Sequence, residues 1–131
     1  MPPDLQRVLN IGITGQSGFI GTHLFNTLSL CKSKFTILPF EDSFFEDVNS
    51  LTEFVKQCDF IVHLAGVNRH SDPQQVYLQN IQITKKLIDA LDAAHTNPGI
   101  IFSSSIQESR GNLYGDAKKE SRELLASWCE R

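Results

Sequence analysis

The chain has 131 residues, 40 % of them hydrophobic and 21 % charged, which gives enough apolar material for one core and too little length for two domains of ordinary size. Its formal net charge is −3, and its basic residues cluster only as the pairs Lys85-Lys86 and Lys118-Lys119. That excludes the positive stripe that holds a polyanion, so nucleic acid is not an expected partner.

Three widely spaced cysteines, Cys31, Cys58 and Cys129, show no Cys-x-x-Cys or Cys/His pairing. Neither a disulfide framework nor a zinc site is expected, and reduced thiols fit a cytoplasm. Met1-Pro2-Pro3-Asp4 lacks the basic start and apolar core of a secretory leader, and no apolar run approaches the length that crosses a bilayer. A soluble protein with no membrane attachment is expected.

Val8-Leu9-Asn10-Ile11-Gly12-Ile13 is an apolar run that reads as a buried strand. Thr14-Gly15-Gln16-Ser17-Gly18-Phe19-Ile20-Gly21 follows, and a helix-like segment occupies residues 23–30, so the glycines fall where a strand hands over to a helix. In such a turn Gly15 supplies φ > 0, Gly18 lets backbone N–H groups approach a pyrophosphate, and Gly21 lets helix and strand pack closely. The free N–H groups of the helix start face the anion, which makes residues 15–21 cofactor-binding candidates.

Phe35-Thr36-Ile37-Leu38-Pro39-Phe40 reads as a second strand that ends, or runs along an edge, at Pro39. Residues 42–49 form a loop. Ser50-Leu51-Thr52-Glu53 has the spacing of a capping box, so a short helix is predicted to begin at Ser50, with Leu51, Phe54 and Val55 inward. Asp59-Phe60-Ile61-Val62-His63-Leu64 is the next buried strand.

Asp72-Pro73 then signals the longest helix, an N-cap followed by proline at the first position, with Val76, Asn80, Ile81, Thr84, Leu87, Ile88 and Leu91 on one face. Asn97-Pro98-Gly99 breaks it before a strand at residues 99–103. A last helix runs from about Tyr114 through Leu124, Leu125 and Trp128.

Strands alternating with helices predict an α/β fold, a doubly wound parallel sheet of the Rossmann type with strand order 3-2-1-4-5. A nucleotide would lie above the carboxyl ends of the strands, where Leu64, Ser103 to Ser105 and the glycine turn fall. Cys31, Cys58 and Trp128 are expected as packing residues, and His63 as a hydrogen-bonded strand histidine.

Tyr114-Gly115-Asp116-Ala117-Lys118 places tyrosine and lysine four apart, on one helical face. A lysine ammonium near a phenol favours the phenolate, lowering the tyrosine pKa from about 10 toward the working pH, where it serves as general acid or base. A serine hydroxyl alongside would orient a substrate oxygen.

Together these motifs resemble the extended short-chain dehydrogenase/reductases acting on nucleotide sugars, the NAD-dependent epimerase/dehydratase family, from Val8 to about Leu125. The likeness rests on the glycine turn preceded by Thr14, His63-Leu64-Ala65-Gly66, Asn80 on the long helix, the serine run, and Tyr114 with Lys118. Gly66-Val67-Asn68-Arg69 and Ser103-Ser104-Ser105-Ile106-Gln107, with little chain before Tyr114-Gly115, resemble more narrowly the reductase domain of capsular polysaccharide enzymes that make N-acetyl-L-fucosamine precursors.

The resemblance implies Tyr114 as proton donor and Lys118 as the group that lowers its pKa and holds the nicotinamide ribose. Ser105 would bind the reacting sugar oxygen, and Asn80 would support the lysine. Leu64, Ala65 and Gly66 would border the cofactor. For the cofactor, NAD or NADP, the two lines of argument diverge. Glu41 and Asp42 follow the second strand and could bind ribose hydroxyls, while no Arg or Lys between Lys34 and Lys56 claims a 2′-phosphate, which leans to NAD. The capsular relatives lean to NADPH. Asp47 is placed beside the adenine or in water.

Against the family the chain stops just after the Tyr-Lys helix, without the later strands and the region that grips the nucleotide sugar. Residues 1–131 are therefore expected as an NAD(P)-binding domain. It is either a reductase or the amino-terminal part of one, with a nucleotide-sugar substrate in the full-length context, or a dinucleotide-binding module without turnover. The resemblance further implies a homodimer through the long helix and the Tyr-Lys helix, with Trp128 either in that contact or inside its own domain.

Overall fold

The computed structural model describes residues 7–67 and 70–131; Met1-Pro2-Pro3-Asp4 and the Asn68-Arg69 part of the capsular-type motif lie outside the described residues. The chain runs β1 (Leu9–Thr14), α1 (Phe19–Ser29), β2 (Phe35–Ile37), a 3-10 turn (Asp42–Glu46), α2 (Val48–Lys56), β3 (Phe60–His63), α3 (Pro73–Ala94), β4 (Gly99–Phe102), a second 3-10 turn (Ile106–Ser109) and α4 (Leu113–Cys129). All strand pairs are parallel, in the order β2-β1-β3-β4.

These four strands occupy positions 2-1-4-5 of the expected order. Position 3 has no counterpart among the described residues, because the stretch between β2 and β3 supplies one helix and each parallel crossover consumes one. From β1 the chain turns to β2 on one side and then crosses to β3 on the other. That reversal opens a crevice above the carboxyl ends of β1 and β3.

The face carrying Gly12, Ile61 and Ile100 packs against α2, α3 and α4, where Leu51, Phe54, Val55, Leu87, Leu91 and Leu125 form the main core. Trp128 joins this core and donates its Nε1–H to Asp92 Oδ1 at 3.1 Å, so it packs within its own domain. On the other face α1 packs against β1 and β2, over Ile11 and Ile13. There the Phe60 ring lies across Gly99, and Phe60 and Ile101 remain 40 % and 56 % exposed beside the outer edge of β4, which pairs with no further strand among the described residues.

The long helix keeps the predicted inward face: Val76, Asn80, Ile81, Thr84, Leu87, Ile88 and Leu91 are all buried, and Asp72 caps Gln74 N–H at 3.0 Å. It stops at His95, which takes the left-handed conformation (φ 53°). Three expectations shift. β2 closes at Ile37, where Leu38 N–H makes a last bond to Ile11 O before Pro39, which has no N–H to give. α2 begins at Val48 rather than Ser50, because Asp47 takes the cap: its carboxylate accepts from Asn49 N, Ser50 N and Ser50 Oγ. Cys31 is exposed in the α1–β2 turn and is not a packing residue, whereas Cys58 is buried. No helix among the described residues is long and apolar enough to cross a membrane.

Candidate active site

Above the strand ends lies a crevice of about 600 Å³, with the glycine turn at one end and Ser103, Ser104, Tyr114 and Lys118 at the other. Gly15 has φ 73°, and a Cβ at Gly21 would fall 2.1 Å from Gly15 O, so both glycines are required by the turn itself. Gly18 differs. A Cβ there would meet only Gly15 O, at 3.3 Å, on the crevice wall. Gly18 is also the N-cap of α1, with no side-chain cap and no acidic residue in the first turn. The first N–H groups of α1 are therefore left for an anion.

Ser17, Gly18, Phe19 and Ile20 line the crevice, and Phe19 and Ile20 are exposed at its mouth. Gln16 does not line it. Its Nε2–H donates to Leu38 O at 3.1 Å and ties the turn to the end of β2.

Beneath the crevice a buried polar chain joins β1, β3 and α3. Thr14 Oγ1 accepts N–H bonds from Leu64 (3.0 Å) and Ala65 (3.1 Å), so its own proton goes to His63 Nδ1 at 2.7 Å. His63 is thereby the Nε2–H tautomer and donates to Thr84 Oγ1 at 3.2 Å. Burial, with Lys118 as a second cause, pushes the His63 pKa down to about 3, which keeps the imidazole neutral. The network fixes the Leu64-Ala65 backbone against Gly15, where the crevice floor is formed.

Asn80 holds the next segment. Its Oδ1 accepts from Val67 N at 3.1 Å and its Nδ2 donates to Val67 O at 2.8 Å and Val76 O at 2.7 Å. A Cβ at Gly66 would sit 2.4 Å from Asn80 Oδ1 and 3.8 Å from Lys118 Nζ, so these three residues share one corner.

Lys118 is buried, and desolvation lowers its pKa from the ordinary value. Its Nζ donates to Ser103 O at 3.0 Å and lies 5.7 Å from the centre of the Tyr114 ring. Gly115 permits this placement, since a Cβ there would fall 1.8 Å from Gln107 O. Asn112 starts the helix by accepting Gly115 N–H at 2.7 Å.

The three serines differ. Ser103 and Ser104 line the crevice. Ser105 does not; it caps the second 3-10 turn, accepting Gln107 N–H at 3.1 Å and keeping its own O–H to donate.

Asp42, Phe45, Glu46 and Ile83 also line the crevice. Glu41 stands at the N-cap position of the first 3-10 turn without a side-chain cap bond, the Asp47 carboxylate caps α2, and neither residue lines the crevice. Hydrogen bonds from Ser50 hold the Asp47 carboxyl below its usual pKa. Sequence reasoning missed Phe45, Glu46 and Ile83, and also Glu108 with Arg122. Arg122 makes a bidentate contact to Glu108, Nη2 to Oε1 at 2.9 Å and Nε to Oε2 at 3.1 Å, and the Ser104 hydroxyl donates to the same Oε2. Arg122, then Ser104, draw the Glu108 carboxyl down to about 2.

An all-parallel sheet, a glycine turn at its switch point and a tyrosine-lysine helix facing that turn define a Rossmann-type α/β domain. Residues 11–127 match the model of the NAD dependent epimerase/dehydratase family, and the chain belongs to that family. It is 32 % identical over 117 residues to the UDP-2-acetamido-2,6-beta-L-arabino-hexul-4-ose reductase of Pseudomonas aeruginosa, covering 89 % of this chain and 31 % of that protein.

Among solved structures, the capsular polysaccharide assembling protein CapF of Staphylococcus aureus superposes with a TM-score of 0.68 at 32 % identity, over 93 % of this chain and 32 % of CapF. RMD of Pseudomonas aeruginosa, solved with NADPH, shares the fold with a TM-score of 0.77 at 22 % identity, over 92 % of this chain and 48 % of RMD. The chain thus spans about a third of the reductase and CapF and about half of RMD.

Proposed function

We propose that residues 1–131 are the NAD(P)-binding, proton-donating domain of a nucleotide-sugar reductase in capsular or other surface polysaccharide synthesis, working in the cytoplasm. One observation carries this reading: a single crevice joins the uncapped start of α1 to Tyr114 and Lys118. The residues fit a dinucleotide. The Gly18 N–H is spent on Gly15 O, but the N–H groups of the first turn of α1 that follow it suit a pyrophosphate, and the space where a Gly18 side chain would stand leaves room for its approach.

Acidic Asp42 and Glu46 at the adenosine end suit ribose hydroxyls and favour NAD, whereas RMD was solved with NADPH, so both forms belong in the test. The likeness to the reductase and to CapF supports a keto-sugar nucleotide as substrate. Free cysteines, two of them exposed, support a reducing compartment. A homodimer through the outer faces of α3 and α4 is part of the proposal, with Trp128 kept in its own core.

In this reaction the hydride would come from a reduced nicotinamide held in the crevice and would pass to the carbonyl carbon. Tyr114 gives its hydroxyl proton to the carbonyl oxygen. Lys118, fixed by Ser103 O with its Nζ 5.7 Å from the centre of the Tyr114 ring, presents its charge to that phenol and would hold the nicotinamide ribose, while Ser105, which keeps a free O–H but stands outside the crevice lining, would turn that O–H to the same oxygen once substrate is bound. Asn80 and the Thr14–His63–Thr84 chain hold the floor rigid, so the proton donor meets its acceptor without reorganisation.

Thermal melts with NADH and NADPH test binding. At a hundredfold excess over Kd a ligand stabilises by about 2.7 kcal/mol, a Tm rise on the order of 10 °C for a chain of this size. A 4-keto-6-deoxy nucleotide sugar added with the better cofactor should then be reduced. Tyr114→Phe should keep cofactor affinity and abolish that reduction. No Tm rise with either form would refute dinucleotide binding, and binding without reduction would favour the module without turnover.

A further inference from the structure

Tyr114, Lys118 and Arg122 stand at four-residue steps on one face of α4, and the latter two fasten the segment that follows β4. Lys118 Nζ holds Ser103 O at 3.0 Å, and Arg122 holds Glu108 with both carboxylate oxygens engaged. Glu108 is 19 % exposed at its side chain, and its Oε2 also receives the Ser104 hydroxyl. An ionised carboxylate has no proton to give, so the direction of this last bond is fixed: Ser104 donates. Ser104 also lines the crevice beside Tyr114.

We propose that Glu108, anchored by Arg122, is a positioning residue that commits the Ser104 proton to its own carboxylate, so that Ser104 meets a bound ligand only as a hydrogen-bond acceptor. The neighbouring serines then have separate tasks. Ser105 spends a lone pair on Gln107 N–H and keeps its proton, while Ser104 spends its proton and keeps its lone pairs. A carbonyl oxygen can be served by Ser105 but not by Ser104. The partner that fits Ser104 is an N–H or O–H donor, either the carboxamide NH₂ of a nicotinamide or a sugar hydroxyl.

This inference rests on the proposal that the crevice holds a nicotinamide dinucleotide. Calorimetric titration would compare NADH or NADPH, whichever binds, with its 3-acetylpyridine analogue, in which a methyl replaces the NH₂ while the carbonyl remains. If the donor is the carboxamide, the wild type prefers the natural form by about two- to tenfold, the worth of one hydrogen bond. That preference disappears in Ser104→Ala and in Glu108→Gln, and combining the two changes nothing more. Arg122→Gln, on a half-exposed side chain, should shift the preference in the same direction and covers the case in which a Glu108 variant folds poorly.

If the donor is a sugar hydroxyl, the cofactor preference is equal in all variants. Affinity of the cofactor-loaded chain for UDP-N-acetylglucosamine then falls by a similar factor in both Ser104→Ala and Glu108→Gln. The inference is overturned if Ser104→Ala moves neither affinity, or if Ser104→Ala does and Glu108→Gln does not. A wild type that binds no dinucleotide refutes the underlying proposal and this inference with it.

Discussion

Acid should loosen this fold through His63, and replacing that residue should remove the effect. His63 is 1 % exposed, its Nδ1 receives the Thr14 proton, and Thr14 Oγ1 is already filled by two backbone N–H groups. A protonated imidazole would point an N–H at an oxygen with nothing left to accept it, near the ammonium of Lys118. The pKa accordingly drops from 6.5 to about 3, with burial as the main cause.

The unfolded chain takes up the proton near 6.5 and the folded chain only near 3, so this contribution is fully present above pH 6.5 and is lost as pH falls through that window. One proton costs about 1.36 kcal/mol per pH unit, or about 2.7 kcal/mol at pH 4.5 relative to pH 8. That is a large fraction of the roughly 5–15 kcal/mol that stabilises a typical domain. Urea unfolding of wild type and His63→Gln at pH 8, 6 and 4.5, followed by Trp128 fluorescence, isolates the effect, because every other titrating group is common to both chains. The wild type should lose about 2.7 kcal/mol more than the variant between pH 8 and 4.5. Parallel losses, within about 0.5 kcal/mol, would refute the neutral, doubly bonded imidazole.

Other expectations separate binding from stability. Gly18→Val should bind dinucleotide at least about tenfold more weakly and lose much less Tm than Gly21→Ala, since its Cβ meets one backbone oxygen, Gly15 O, at 3.3 Å and otherwise stands in the crevice. Gly21→Ala should instead lower Tm sharply, because its methyl collides with backbone at Gly15 O. Asn112→Ala should cost about 1 kcal/mol in urea unfolding through the lost cap on Gly115. Glu108, held to about 2 against an ordinary 4.5, contributes stability above pH 4.5 that is lost as pH falls toward 2; the Tm gap between wild type and Glu108→Gln should therefore narrow from pH 7 to pH 3.

What the sequence disclosed follows the range over which each signal acts. The glycine turn, the α3 face and the Tyr114–Lys118 step are local patterns, and local geometry reproduces them. The capping-box spacing points to Ser50 as the start of α2, but Asp47 has cap chemistry one turn earlier, and the aspartate prevails since its charged oxygens satisfy two N–H groups and the Ser50 hydroxyl. A fifth strand was implied by the general pattern, but the chain between β2 and β3 carries a single helix.

Side-chain partners far along the chain were not legible. Gln16 turns to Leu38, and Arg122 finds Glu108 only because α4 folds back along the second 3-10 turn. Glu46 and Ile83 reach the crevice from elements whose packing no spacing rule specifies. Cys31 looked like a small hydrophobe at a helix end, yet the turn it occupies faces water.

The bare side of β4 has a practical bearing on how this chain behaves in a test tube. An outer strand with its row of amide and carbonyl groups unspent, next to the uncovered Phe60 and Ile101, is a template for sticking to like molecules. Concentrated preparations should cloud through that margin first. A single lysine in place of Ile101 should keep them clear while leaving the crevice, on a different part of the domain, untouched.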